Sequence, residues 1–283
     1  MPQQVQLKVS NPPPSRSRIR HDLGKLFFTA KRRLSWIKYG RNYAQLKKPD
    51  IRLPYLIYSH KTPLIRKLRN VDMWLQYNKI TNLKLALGTI NGLIIRPGET
   101  FSFWYLLGKP TRSKGFLNGM VLCNGSFEPG IGGGLCQLSN LIYWMTLHTP
   151  LTVKERWRHN YDVFPDYNRT QPFGCGATVV YNYIDLQICN HTDSEYQLLL
   201  WLDEDYLNGQ WHSRQPAAYT YEVYEQEHLI THEWWGGYMR HNVINRIAYD
   251  GDGQPVEDTF IAENHAVMMY EPMLEPKSSE EPL

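Results

Sequence analysis

The chain has 283 residues, 42% apolar and 13% aromatic, which is long enough for one large core or two small ones and too apolar for a disordered protein. Its net charge of +4 hides a split: residues 1–70 hold 17 Lys and Arg against Asp22 and Asp50, a balance of +15, and the remainder carries −11. Four cysteines, with no C-x-x-C spacing, exclude a dense disulfide framework and a four-thiolate zinc site, and no run reaches the roughly 20 apolar residues of a membrane-spanning helix.

The opening "MPQQVQLKVSNPPPSRSRIR" reads as a disordered leader over residues 1–20. It lacks the apolar segment of a secretory signal, so the expected location is cytoplasmic, at most peripheral on the inner face of the membrane. From Leu23 to Leu46 the spacing is that of a basic amphipathic helix. Leu23, Leu26, Phe27, Ala30, Leu34 and Ile37 recur at three- and four-residue intervals, flanked by Lys31, Arg32, Arg33 and Lys38. Such a stripe has two uses: contact with an anionic membrane surface through residues 23–46, or packing on the protein's own core, which is the commoner. No nucleic-acid recognition motif accompanies the basic residues, and specific nucleic-acid binding is not expected.

"LPYLIYSHKTP" reads as a short extended segment, and 64–87 as a helix carrying Leu64, Leu68, Val71, Leu75, Leu83, Leu85 and Leu87. Asn91-Gly92 marks a turn, "LIIRPGETFSF" a strand, a Pro97-Gly98 turn and a strand, and "MVLCNGSFE" a hairpin around Asn124-Gly125. The glycines Gly132, Gly133 and Gly134 open a helix from Leu135 to about His148, stopped by Pro150. Strands then dominate: "LTVKERW", "ATVVYNY", "DLQICN", "YQLLLWL", "YTYEVYE", "RIAYDG" and "HAVMMYE". The pattern is α+β, a helical N-terminal part followed by a mostly antiparallel sheet around a central Cys-bearing helix. It divides into the leader, a basic helical region 21–79, a central domain 80–190, a β-rich extension 191–272 packed on the same sheet, and an acidic tail 273–283.

Chemistry concentrates at Cys136. A helix start exposes unpaired N–H groups and positive potential, which favours a thiolate, and upstream glycines allow close approach of a substrate. The plain alternative is a small apolar residue at a helix–sheet junction, with the glycines serving only the turn. A reactive thiol needs a base, and His159 in "ERWRHNYDV" follows on an independent element. Cys on a helix, then His after a strand, is the order of papain-like and transglutaminase-like enzymes. Gln137 and nearby amides would then serve as oxyanion donors. Cys136 with His159 could instead hold a metal. His228 and His232, beside Glu227 and Glu233, lack a third ligand at known range, and "DGDGQ" is too short for a calcium loop. No cofactor or metal is therefore expected.

"RPGETFSFW", "NGSFEPGIGGGLCQLSNLIYWMTL", "ERWRHN" and "GATVVYNYIDLQICN" together resemble the VanW domain over about residues 80–190. The positions matched are Gly98, Glu99, Phe101, Gly132, Gly133, Gly134, Cys136, Gln137, Glu155, Arg156 and His159. Where many members carry Asp before Ala-Thr, this chain has Gly176, so a residue orienting His159 must be Asn182, Asp185 or Asp162, or be absent. The family is named for an accessory protein of B-type vancomycin resistance, and the resemblance implies work near peptidoglycan precursors with an altered D-Ala terminus. Two functions follow as expectations. One is a thiol enzyme of amidase or transpeptidase type, with Cys136 as nucleophile, His159 as base and a peptide-like cell-wall precursor as substrate. The other is a non-catalytic module that binds a cell-wall fragment or a partner protein. In both, Glu155 and Arg156 form a structural ion pair or position the ligand, with Glu99 and the glycine triplet in support.

Overall fold

The computed structural model describes residues 18–65, 72–123, 126–163, 171–181 and 183–272. Most of the leader, Leu68 and Val71, the Asn124-Gly125 turn, Asn182 and the acidic tail lie outside the described residues. In chain order the helices are α1 (Arg18–Tyr39), α2 (Met73–Ile90), α3 (Phe103–Leu107) and α4 (Leu135–Leu147). The strands are β1 (Tyr55–Pro63), β2 (Leu93–Ile95), β3 (Thr100–Ser102), β4 (Asn118–Cys123), β5 (Ser126–Ile131), β6 (Thr152–Glu155), β7 (Tyr161–Asp162) and β8 (Gln187–Cys189), then β9 (Tyr196–Leu202), β10 (Tyr206–Ser213), β11 (Thr220–His232), β12 (Tyr238–Tyr249) and β13 (Pro255–Met268). The class is α+β with mostly antiparallel sheets, as expected, while the papain-like order finds no support beyond the sequence.

Two sheets frame the molecule. The first, β1-β10-β9-β2, is antiparallel throughout, and α2 and α4 pack on it. Its core joins Leu83, Ile90, Leu138, Leu141, Ile142, Met145, Leu198 and Trp211, all fully or almost fully buried. Gly209 in β10 explains how closely α4 approaches: a Cβ there would lie 2.6 Å from Met145 Cε. The second sheet, β11-β12-β13-β7, is antiparallel except for the short β13–β7 pairing. The small sheet β3-β8-β6 and the hairpin β4-β5 complete the strands. The extension after residue 190 is therefore divided: β9 and β10 join the sheet of β1 and β2, and β11–β13 build the second sheet with β7.

Helix α1 ends earlier than its periodicity predicts, because Gly40–Asn42 forms a 3-10 turn and the chain then runs extended, with Tyr43 bridged to Thr100 and Lys47 to Leu93. α2 begins at Met73, downstream of the predicted start at residue 64. "ATVVYNY" is not a strand. Its described residues are irregular, with one isolated bridge from Val180 to Ile184, since their backbone bonds go elsewhere.

Candidate functional site

α4 starts on Gly134, whose φ of 93° lies in the left-handed region that glycine adopts without strain. The other two glycines serve close packing. A Cβ on Gly133 would overlap the backbone of Gly119 in β4, and one on Gly132 would press on Pro110 at 2.8 Å. The fully buried Asn82 of α2 locks this turn: its amide donates to Leu117 O (3.0 Å) and Gly133 O (2.9 Å), and its carbonyl accepts from Leu117 N (2.8 Å). The triplet is thus the point where α2, the β4-β5 hairpin and α4 converge.

Cys136 is the second residue of α4. Its neighbour is the irregular segment 174–181, which lies along the start of the helix. The Cys136 thiol donates to Val179 O at 3.6 Å, Ser139 Oγ donates to Ala177 O at 2.6 Å, and Asn140 Oδ1 accepts from Ala177 N at 2.7 Å. These three residues, spaced at i, i+3 and i+4, form one face of α4 that replaces a strand partner for residues 177–179. From the other side Thr178 N donates to Trp157 O (2.8 Å), and the Arg156 guanidinium donates to Gly176 O (2.8 Å) and to Gly174 O. Three motif segments, "GGGLCQ", "ERWRH" and "GATV", meet here.

The expected roles can be set against these positions. Cys136 is half-buried, and burial pushes its thiol up, an effect the Val179 bond only partly offsets. His159 lies in the loop after β6 and has no hydrogen bond to Cys136. Burial, and then the adjacent Arg158 charge, push its imidazole down. With the thiol raised and the imidazole lowered, both groups rest neutral at neutral pH rather than as a thiolate–imidazolium pair. Gln137 sends its side-chain N–H groups to Thr62 Oγ1 (3.0 Å) and Pro63 O (2.8 Å), fastening α4 to the end of β1. Glu99 closes its own turn by accepting from Arg96 N at 2.9 Å.

Glu155 and Arg156 do not pair with each other. Glu155 binds Arg32 of α1 at 2.5 Å and also accepts from Trp157 Nε1 at 2.9 Å. Arg156 stacks over Tyr143 and reaches Asn264 Oδ1 at 3.4 Å, besides its two glycine carbonyls. Glu155 is the last residue of β6 and Arg156 the first beyond it, and their partners lie on different elements, Arg32 of α1 for the one and Tyr143 of α4 with Asn264 of β13 for the other. Of the residues considered for orienting His159, Asp185 spends both oxygens on Ser102 Oγ (2.5 Å), Trp104 N (3.1 Å), Leu186 N (3.0 Å) and Gln187 Nε2 (3.2 Å). Asp162 holds Arg240 (3.4 Å) and Tyr270 (2.8 Å), and Asn182 lies outside the described residues. His228 Nε2 accepts from Arg240 Nε at 2.9 Å, His232 packs on Tyr238, and no three His, Cys, Asp or Glu among the described residues could hold a metal. Sequence reasoning missed Ser139, Asn140 and Asn264, which have no signature beyond being polar residues on apolar elements.

A family model described as VanW like protein matches residues 78–212, which carries the domain through β9 and β10. The chain is 36% identical over 219 residues to vancomycin B-type resistance protein VanW of Enterococcus faecalis, covering 77% of this chain and 79% of that protein. It is also 32% identical over 82 residues to uncharacterized protein YoaR of Bacillus subtilis, 29% of this chain and 27% of that one. No solved structure matches. With motif segments meeting at Val179 and similarity along most of both chains, the protein belongs to the VanW family.

Proposed function

We propose that this protein is an accessory factor of vancomycin-type resistance that binds a peptide-like cell-wall precursor or a partner protein, with Cys136 as a structural residue. The link to resistance rests on the similarity to a relative named for it. The bond from the Cys136 thiol to Val179 O carries the choice of binding over catalysis: it fixes the thiol within the fold, and burial opposes the thiolate that attack requires. A thiol enzyme is the second reading, favoured by the place of Cys136 at a helix start and by the lowered His159, an imidazole neutral enough to act as a base.

Two measurements test this. In a resistant Enterococcus faecalis strain deleted for its own VanW, expression of this chain should raise the inhibitory concentration of vancomycin, and Cys136→Ser, which keeps a donor for Val179 O, should do so equally. No effect of either would remove the link to resistance. A timed iodoacetamide series read by mass spectrometry addresses the thiol. Cys136 should label slowly and independently of His159→Ala. Fast labelling that this change slows, together with loss of function in Cys136→Ser, would favour the enzyme. Cys175 and Cys189 are buried, so a surface cysteine on an added tag is the suitable exposed reference.

A further inference from the structure

Helix α1 does not use its apolar stripe on the protein's own core. Ile19, Leu23, Leu26, Phe27, Leu34 and Ile37 are 62–81% exposed. At about 100° per residue these six fall in one arc of about 100° along the helix. The half-buried positions Gly24, Thr29, Arg32, Ser35 and Trp36 lie on the opposite side. That side holds the body: Arg32 pairs with Glu155 and donates to Tyr183 O (2.8 Å), Phe28 packs on Tyr183, and Trp36 on Tyr105. The helix is docked by one face and leaves the other, fully apolar, to the surroundings.

Charge says what covers it. Lys31 and Lys38 run along one edge of the arc and Arg33 along the other, all exposed, and Arg41 follows at the helix end. Residues 18–41 carry eight Lys and Arg against Asp22 alone. A second copy would bring these like charges together at the rim, whereas an anionic lipid surface pairs with them and takes the apolar arc below its headgroups. Aromatic rings continue this face onto the family domain: Phe27 packs on Phe28, Phe28 on Tyr183, and Tyr183 on the exposed Trp157 of the "ERWRHN" segment. Rings with a polar edge favour the membrane–water boundary.

We infer that α1 lies in the headgroup region of an anionic bilayer, apolar arc down, and holds the segment bearing Trp157 and His159 close to the membrane surface. This contact is in-plane, since no described helix is long and apolar enough to cross a membrane.

Sedimentation of the full chain with phosphatidylcholine vesicles, with and without phosphatidylglycerol, tests the inference. The protein should pellet with the anionic vesicles at least about tenfold more tightly than with the neutral ones. Raising salt from about 0.1 M to 1 M, which shortens the screening length from about 10 Å to 3 Å, should weaken binding about tenfold. Leu26→Asp with Leu34→Asp should abolish it, and Lys31→Glu with Lys38→Glu should reduce it at least about tenfold. Far-ultraviolet circular dichroism should be unchanged in both, because none of the four side chains is buried. Equal binding to neutral vesicles, or none to either, overturns the inference. A dimer in lipid-free sedimentation velocity that Leu26→Asp with Leu34→Asp splits, without vesicle binding by the parent, overturns it in favour of a second copy.

Discussion

Asn82 and Gly133 meet where the backbone has no room and little water. Asn82→Leu keeps the size of the residue and favours the helix, but strands Leu117 N and Gly133 O, whose described side-chain partner Asn82 is. The expected loss is about 3 kcal/mol of stability in urea unfolding of the full chain. Gly133→Ala should destabilise by at least about 1–3 kcal/mol through overlap with Gly119, while Gly251→Ala, with nothing within 4 Å of the added carbon, should be nearly silent. Equal midpoints for the Gly133 and Gly251 variants would contradict the packing at the triplet. The glycines and the helix start behind them were legible because left-handed turns and helix caps are local properties. What the triplet serves was not, because Asn82 and Gly119 reach it from other elements. The electrostatics of Cys136 was hidden for the same reason. A helix start predicts a lowered thiol, but the burial that overrides it exists only once residues 174–181 lie across α4.

Among the elements long enough to show a period, α1, α4, β1 and β9 follow the spacing of their apolar residues, whereas of the long strands β11–β13 the sequence marked only parts, 220–225, 246–249 and 265–268. β10 escaped because Asn208-Gly209 carries a turn signature, yet Gly209 is there to admit α4. "ATVVYNY" misled in the opposite way, since its β-branched residues suit a strand but Ser139, Asn140 and Cys136 supply its hydrogen bonds. α1 shows how a period fixes the element and not its use: the stripe was readable, whereas the docking face depends on Arg32 meeting Glu155, 123 residues away. Both side chains are 15–20% exposed, so this pair is stronger than a surface one. Arg32→Ala and Glu155→Ala should each speed tryptic cleavage within α1, at Lys25 and Lys31, several-fold, with little change in unfolding of the sheets. Combining them should add little to either, because both remove the same bond. Additive effects would mean that the two act through their separate bonds, Arg32 to Tyr183 O and Glu155 to Trp157, and no effect of either would mean that Phe28 and Trp36 hold α1.

Across the whole molecule, acid acts through buried histidines. His148 sits at the end of α4, stacked on Tyr58 with ring centroids 3.9 Å apart, and its Nδ1 lies 3.0 Å from Trp144 O. Burial lowers it from 6.5 to about 4, with the charges of His60 and Arg246 adding to the effect and the Trp144 carbonyl opposing it. His60, His159, His212 and His241 are pushed down as well, each chiefly by burial. A histidine lowered in the folded state binds protons more readily when unfolded, so its contribution is intact above about 6.5 and is lost as pH falls toward the folded value. For His148 alone that loss is on the order of 3 kcal/mol between about pH 6.5 and 4. Asp185 works the other way. Burial raises it from 3.8 to about 6 despite its hydrogen bonds to Ser102 and Trp104, so its contribution is present below its unfolded value and is lost as pH rises through about 6. The five histidines outweigh this one carboxyl, and urea midpoints should fall steadily from about pH 7 to about pH 4.5. His148→Phe keeps a ring against Tyr58 and removes the proton site, so it should flatten the fall even if it lowers the midpoint at neutral pH. Asp185→Asn removes the opposing group and should steepen it. A midpoint independent of pH in the parent, or the same slope in the His148 variant, would show that these rings do not govern acid stability.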